Sequence, residues 1–403
     1  MTDPGADLLA DLLANPAVVE DATKLAGIFR WLADVEFPGY SPLYEHLARH
    51  IADELWIPAL ITRHNRSSFA GVLFLDCVRY LTLVRPDQPL ALRYADIVRG
   101  GDPLDPDPWP LFLATVVDHR AELAALLEAR SIQTNEVGRA AALLPAFEVV
   151  RRRFRRPLAL IEIGCSAGLN LQFDRFHIDY PVADRDQATD DADGAADRSV
   201  GPPDSSVRLR CQVRGDLAPP VPAEPPPVAS RLGIDIAPVD LADHDAVRWL
   251  EACVWPDVPH RLERFRAAVA LARADPPAIR TGHGVALVAD AVRAVPDDAV
   301  ACLDSTWVLA YFSDDERAEL HGLLDELGTD RAIGYVTAEY VDNAPWVPPP
   351  PRPTVSTDHR SPTLLGLGLW DHGRVEHRAL AWMPPHGQWL DWLDPATAEG
   401  PRA

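Results

Sequence analysis

The sequence predicts an α/β fold, in which an N-terminal all-helical region (residues 1–156) precedes a Rossmann-like domain (157–403) built on a mostly parallel sheet. Three observations predict it. Apolar residues recur at helical spacing up to about Arg156. From Leu158 onward, short apolar strands alternate with helical stretches, the pattern of a parallel-rich sheet. The first strand, in the segment LALIEIGCSAGLN (Leu158 to Asn170), ends in an acid followed by a small-residue turn, at the place where open α/β sheets bind their ligands.

In the N-terminal region, Ala22 to Val35, Pro42 to Asp53, Phe69 to Val84, Pro110 to Ala129 and Val137 to Phe154 each carry apolar residues at i, i+3, i+4, and prolines and glycines punctuate the joins, as in Arg99 to Pro110. Such a region is expected either to enclose a substrate over a cofactor sheet or to buttress that sheet. The expected strands are Leu158 to Ile163, Arg231 to Ile236, Ala278 to Thr281, Val300 to Ser305, Ala332 to Ala338, Thr363 to Trp370 and Val375 to Trp382. Helices are expected at Gly168 to Phe176, Ala242 to Arg273, Gly284 to Val295 and Asp314 to Leu327. Asp371 to Arg374 reads as a hairpin turn between the last two strands. An insertion at about 181–229 interrupts the alternation. It opens with the acidic run DRDQATDDADGAADRS, expected to be a disordered loop, and closes with PPVPAEPPP, expected to be an extended linker, with a short strand candidate, Val207 to Val213, between them. A second proline tract spans Pro348 to Pro353.

The turn after the first strand admits three readings. Gly164 and Gly168 let the backbone turn tightly and approach a ligand, with amides of the next helix facing it. A dinucleotide fingerprint requires G-x-G-x-x-G, and Cys165-Ser166 after Gly164 lacks its second glycine. Gly164-Cys165-Ser166-Ala167-Gly168 is also formally a G-x-S-x-G nucleophile elbow, for which Ser166, Asp304 and His386 could be drawn as a triad. No oxyanion loop of the HGGG type precedes it, and helices rather than strands come before. The third reading fits best. Apolar strand, acid, x, Gly and a small-residue loop ending in Gly is the first motif of class I S-adenosylmethionine-dependent methyltransferases, and IEIGCSAG is similar to it. Ser166 stands where a glycine is more usual, which requires a negative φ there or a hydroxyl that contacts the ligand.

Candidate ligand residues follow from that reading. Glu162 is expected to hold the backbone amides of the turn. In SRLGIDIAPVDL, Asp235 ends the second strand and is placed to accept hydrogen bonds from ribose hydroxyls, with Asp240 as the alternative; the bland reading is a strand-end or capping acid. His283, in Gly282-His283-Gly284, is the candidate adenine contact. In LDSTWVLAYF, Asp304 ends the fourth strand, and Trp307 and Tyr311 read as core or pocket wall. Before the first strand, Gln133, Thr134, Asn135, Glu136 and Arg139 crowd the start of a helix. Thr134 or Asn135 would cap that helix, with Glu136 in its first turn, and Arg139 is placed to meet the methionine carboxylate. His386, in MPPHGQWLDW, is a candidate base or a structural histidine; Trp389 and Trp392 read as core seals.

Net charge of −22 argues against a nucleic-acid partner, because phosphate backbones are bound by clustered Lys and Arg. The one dense basic run, Arg151 to Arg156, suits a solvated helix C-terminus. Five widely spaced cysteines form neither a disulfide framework nor a zinc motif, which implies a reducing cytoplasm. Neither an export signal nor a membrane span is expected, since no apolar run reaches about 18 residues. No metal is expected.

QTNEVGRAAALLPAF, IEIGCSAGLNLQFDRF, IDIAPVDL, ACVWPDVPHRLERFRAAVALARADPP, STWVLAYF and PPHGQWLDW, in this order, resemble the bacterial domain-of-unknown-function family 2332 across almost the whole chain. The departures are RHNRSSFAGVLF, where a more apolar, proline-containing segment is usual, and Gly282 to Gly284, where Gly-Asp-Ala is commoner. The resemblance implies a Rossmann-like, methyltransferase-like fold and assigns no reaction. Together these readings give a class I methyltransferase-like, seven-stranded sheet behind a helical region. It would bind S-adenosylmethionine and a small-molecule acceptor, with a non-catalytic adenosyl-ligand-binding or interaction protein as the alternative.

Overall fold

A computed structural model describes residues 15–67, 69–133, 135–182, 198–350 and 363–398. Thr134, the acidic run over 183–197, the end of the second proline tract (351–353) and the N-terminal segment 1–14, on which the absence of an export signal was read, lie outside the described residues. The chain divides into two compact units, residues 1–134 with 243–263 and residues 135–242 with 264–403. The helix Arg139–Phe154, expected with the N-terminal helices, thus belongs to the sheet unit, and the segment 243–263, expected with the sheet, belongs to the helical one.

The helical unit contains Pro16–Trp31, Pro42–Asp53, Trp56–His64, Ala70–Val84, Pro89–Val98, Trp109–Asp118, Arg120–Ala129 and, from the later segment, His244–Ala252. Pro42–Asp53 starts where Ser41 accepts a hydrogen bond from the Tyr44 amide and proline occupies the first turn, a strong N-terminal signal. Two helices, Trp56–His64 and Pro89–Val98, were not expected. Their prolines sit in the first turn, where a missing N–H costs nothing. The single helix expected over 242–273 breaks around Trp255-Pro256, and the one over 110–129 breaks at His119. Phe29, Tyr44, Phe74, Phe112, Trp249 and Trp255 are buried together in this unit's core.

The sheet unit carries β1 (Leu158–Ile163), β2 (His177–Tyr180), β3 (Arg198–Val200), β4 (Arg208–Arg210), β5 (Gln212–Arg214), β6 (Val228–Asp235), β7 (Ala278–Thr281), β8 (Val300–Thr306), β9 (Ile333–Glu339), β10 (Thr363–Asp371), β11 (Arg374–Met383) and β12 (Trp389–Trp392). Nine of these form one sheet in the order β5-β12-β11-β10-β9-β8-β1-β6-β7, so the expected seven strands become nine. The five from β7 to β9 are parallel, and β10 and β11 form the predicted antiparallel hairpin. The two additional strands close the edge that this hairpin would leave. β12 pairs with β11, and β5, from the insertion, pairs with β12. Trp389 and Trp392 are buried as expected, inside this added strand. The expected strand 207–213 is split between β4 and β5, and β2, β3 and β4 make a separate three-stranded sheet. Three short strands of the described part of the insertion are therefore built into sheets, while the proline segment 219–227 is in no strand or helix.

Helices Gly284–Arg293 and Asp314–Leu327 cover one face of the large sheet, where Val288, Val292, Leu320 and Leu324 bury Ile161, Ile163, Leu303 and Tyr335. The helix Arg139–Phe154 packs against the other face, and Gly334 lets it approach: an added Cβ would lie 2.6 Å from Val150. Alternate strand residues share a face. The row Leu160–Cys302–Gly334 faces this helix, and so does the next row toward the carboxyl ends, Glu162–Asp304–Val336.

The basic run closes this helix as a solvated C-terminus. Arg151 and Arg152 pair with Glu148, and Arg153 pairs with Asp371. All five cysteines are free and buried. No helix among the described residues is long and apolar enough to cross a membrane.

Candidate functional site

The turn after β1 departs from its expected form in one respect. Instead of an α-helix over 168–176, a short 3-10 helix, Asn170–Arg175, follows. Neither a pyrophosphate-binding helix N-terminus nor the strand–turn–helix of a nucleophile elbow is formed. The turn is left-handed at Gly164 (φ 72°), Ser166 (φ 52°) and Gly168 (φ 68°). A left-handed serine costs about 1–2 kcal/mol, so the expected negative φ at Ser166 is replaced by a strained one.

Contacts from neighbouring elements hold that strain. The Gly164 amide donates to the Ile234 carbonyl at 2.8 Å, and the Ser166 amide donates to Asp235 Oδ2 at 2.7 Å. Asn135 Nδ2 donates to the Cys165 carbonyl at 2.9 Å, while its Oδ1 accepts from the Leu169 amide at 3.2 Å. Asn135 thus clamps the turn rather than capping the next helix, which begins at Arg139 after Gly138 with no side-chain cap. Asp235 takes the task expected of Glu162, since it accepts from the Ser166 amide of the turn, while its other oxygen accepts from the Ala237 amide at 2.8 Å. Glu162 keeps one oxygen, Oε2, without a hydrogen-bond partner.

Four neighbouring strands carry an acid at or near the carboxyl end: Asp235 and Glu339 close β6 and β9, Glu162 precedes the last residue of β1, and Asp304 is followed by Ser305 and Thr306 in β8. Glu162 and Asp304 are register partners, each 2% exposed, and Glu339 is 1% exposed. Burial, reinforced by Asp304 and Asp235, holds the Glu162 carboxyl well above the usual carboxylate range, against the opposing pull of Arg139 and of a hydrogen bond from Asn170. Burial raises Asp304 to about 8 and Glu339 to about 7. Glu339 Oε1 accepts from the Val308 and Leu309 amides at 2.9 and 3.0 Å, bracing the turn after β8, and its Oε2 has no hydrogen-bond partner. That turn is also left-handed, at Trp307 (φ 60°). Two strained non-glycine residues thus sit on the turns that follow adjacent strands; such strain clusters at functional sites.

Asp304 and Glu339 bind protons in the folded chain that they release when unfolded near neutrality. Their contribution to stability is complete below about pH 4 and declines as pH rises through about 7 and 8. Melting curves should therefore show Asp304→Asn flattening the pH dependence between about pH 5 and pH 8. An unchanged slope would mean that Asp304 ionises freely.

Arg139 is buried at 4% exposure. Its Nε donates to the Pro385 carbonyl at 2.9 Å and its Nη1 to Thr306 at 3.2 Å, which brings it to the carboxyl end of β8. His386 pairs instead with buried Glu136, Nδ1 to Oε2 at 3.6 Å, and Glu136 also holds Arg264 at 3.0 Å and the Gly138 amide at 2.9 Å. Ser166 Oγ is buried without a hydrogen-bond partner, so Ser166, Asp304 and His386 are not joined as a triad. His283 is 45% exposed and pairs with Glu316 at 3.1 Å. Asp240 is exposed and accepts from the Ala242 amide. Tyr311, expected in the core or a pocket wall, is 62% exposed; Trp307 is half-buried and packs edge-on to Tyr340 at 4.4 Å. Among the described residues, no three His, Cys, Asp or Glu side chains are grouped so as to hold a metal ion.

Sequence reasoning missed Glu339, Asn170 and Ile236. The signal for Glu339 was present, since it closes its strand as Asp235 closes β6. Ile236 directly follows Asp235 and is 72% exposed.

Residues 26–392 match the model of a family described as "Uncharacterized protein conserved in bacteria (DUF2332)". The chain belongs to this family. No curated protein and no solved structure matches it.

Proposed function

We propose that this DUF2332 member binds S-adenosylmethionine at the carboxyl ends of β6, β1 and β8 and directs its methyl group to a small-molecule acceptor. The observation that carries this reading is a run of buried polar atoms without hydrogen-bond partners, Glu162 Oε2, Ser166 Oγ and Asn170 Oδ1, beside a strained turn. Buried polar groups of this kind are normally satisfied, and a polar ligand lying along the turn would satisfy them. Each oxygen of Asp235 accepts from one backbone amide and retains a lone pair for a ribose hydroxyl. Exposed Ile236 offers an apolar surface beside it. His283, tilted against Phe312 with ring centroids 5.4 Å apart, stands after β7, next in the sheet.

The bound cofactor supplies an electrophilic methyl group on a sulfonium. Positioning the acceptor supplies most of the acceleration. Glu339, raised to about 7, is ionised in part near neutrality and can take the acceptor's proton.

A thermal-shift screen tests the reading. S-adenosylmethionine or S-adenosylhomocysteine at a hundred times its dissociation constant should stabilise the chain by about 2.7 kcal/mol, while NADH should leave the melting temperature unchanged. Absence of a shift with both adenosyl ligands at millimolar concentration would remove it. Binding without transfer of labelled methyl to any small acceptor would leave a ligand-binding protein without turnover.

A further inference from the structure

Away from the glycine turn, two histidines meet between the helix Asp314–Leu327 and the hairpin of β10 and β11. His321 on the helix and His377 on β11 face each other, with their Nε2 atoms 3.2 Å apart. The space for them is left by Gly368, which pairs in register with His377 on one side and Tyr335 on the other. An added Cβ there would lie 2.5 Å from the Trp370 ring and 3.3 Å from His377 Nδ1. Trp346 and Trp370 wall the pair, with ring centroids 5.2 and 5.8 Å from that of His321.

The neighbours fix where the protons stand. His321 Nδ1 lies 3.3 Å from Asp325 Oδ2, and Asp325 Oδ1 accepts from Trp370 Nε1 at 2.7 Å. With its Nδ1–H toward that carboxylate, neutral His321 presents a lone pair at Nε2, so His377 donates the single N–H that the two Nε2 atoms share. His377 Nδ1 is then a buried acceptor without a hydrogen-bond partner. A further proton finds no satisfied place. On His321 Nε2 it opposes the N–H of His377 unless that proton moves to Nδ1, and an N–H at His377 Nδ1 has no acceptor.

We infer that His321 and His377 form a proton-operated latch, which seats this helix on the hairpin while they share one N–H and loosens when either ring gains another proton. The inference is independent of the adenosyl reading. The surrounding groups are already engaged. Asp325 is held by His321 and Trp370, and Arg317, one turn before His321, pairs with Asp314. On β11, Glu376 and Arg378 alternate to the other face and pair with each other, Arg378 also with Asp394. On β9, the Tyr335 hydroxyl is bonded to Ser305. Trp346 and Trp370 carry no charge.

Burial and the neighbouring His321 hold His377 below the usual histidine range, against the pull of Asp325. In the unfolded chain this histidine titrates at about 6.5, so as pH falls the unfolded chain gains the proton first. The latch's contribution to stability is therefore complete above about pH 7.5 and is lost as pH falls through about 6.5. The limit is about tenfold in the unfolding constant per pH unit for one proton. Asp304 and Glu339 act with the opposite sign, so the latch is read from the difference between two chains rather than from one slope.

His377→Gln keeps an N–H donor for His321 Nε2 and cannot take up a proton. From about pH 7.5 to about pH 5.5, the unfolding constant of the unaltered chain should rise severalfold relative to that of the variant, whatever the variant's stability at the upper pH. Over the same range, amide exchange corrected for its intrinsic pH dependence should quicken in the helix Asp314–Leu327 of the unaltered chain and not in the variant. Nitrogen-15 NMR of the imidazoles in the full chain needs no variant. It should show His377 as the Nε2–H tautomer at about pH 8, gaining its second proton at lower pH than the histidines of the unfolded chain. The latch is overturned by parallel pH profiles of the two chains, by exchange in this helix that acid leaves unchanged, or by a His377 that carries its proton on Nδ1 or titrates with the unfolded chain.

Discussion

Replacing Gly164 with alanine should destabilise the sheet unit by about 2–5 kcal/mol, the sum of two penalties. A left-handed alanine costs about 1–2 kcal/mol, and overpacking costs about 1–3 kcal/mol. At Gly164, φ is 72° and an added Cβ would overlap Val308 Cγ2. Val308 cannot easily swing away: it is β-branched, and its amide is fixed by Glu339. Because the same contact joins the glycine turn to the turn after β8, adenosyl affinity should fall with stability. Adding Val308→Ala to Gly164→Ala should recover the overpacking part and leave the backbone part. Melting curves of the two variants check this; a double variant no more stable than Gly164→Ala would show that Val308 is not the obstacle.

Asp235→Ala should weaken adenosyl binding by about 1.5–3 kcal/mol, the range for hydrogen bonds to a charged group, and should also lower stability by about 1–3 kcal/mol. The second effect comes from the structure, because Asp235 is the acceptor for the Ser166 and Ala237 amides, and the left-handed Ser166 depends on that bond. Asp235→Asn retains one acceptor and should fall between the two. Calorimetry beside melting curves separates the roles. Unchanged affinity in a folded Asp235→Ala chain would move the ribose contact to Asp240, and an unchanged melting temperature would mean that the turn is held without Asp235.

The exchange of roles between Asp235 and Glu162 shows where the sequence stops being legible. Both acids were visible as strand ends. Which of them reaches the turn depends on the pairing of β1 with β6, which brings together residues 69 apart in the chain, and no local pattern encodes it. Elements with chemical boundary marks were read to the residue. Pro42–Asp53 begins after Ser41 and proline, and Asp314–Leu327 after the Ser313–Glu316 capping box. Trp56–His64 and Pro89–Val98 also carry proline in the first turn but have no side-chain cap to mark the start, and they were hidden.

The α-helix expected after Gly168 fails for a tertiary reason. Asn135, 34 residues earlier, takes the Leu169 amide at the point where a helix would start. The place of β5 in the large sheet was likewise hidden, because its partner β12 lies far along the chain. Glu339 was overlooked although it closes its strand as Asp235 closes β6; the region of β9 carried no motif to draw attention to it.

A crystal structure of the full chain with S-adenosylhomocysteine tests the central claim most directly. The account predicts the ribose hydroxyls on Asp235, the adenine beside Ile236 and His283, and the amino-acid end along the Gly164–Gly168 turn toward Glu162. A ligand bound elsewhere, with the turn and the carboxyl ends of β6, β1 and β8 untouched, would contradict it.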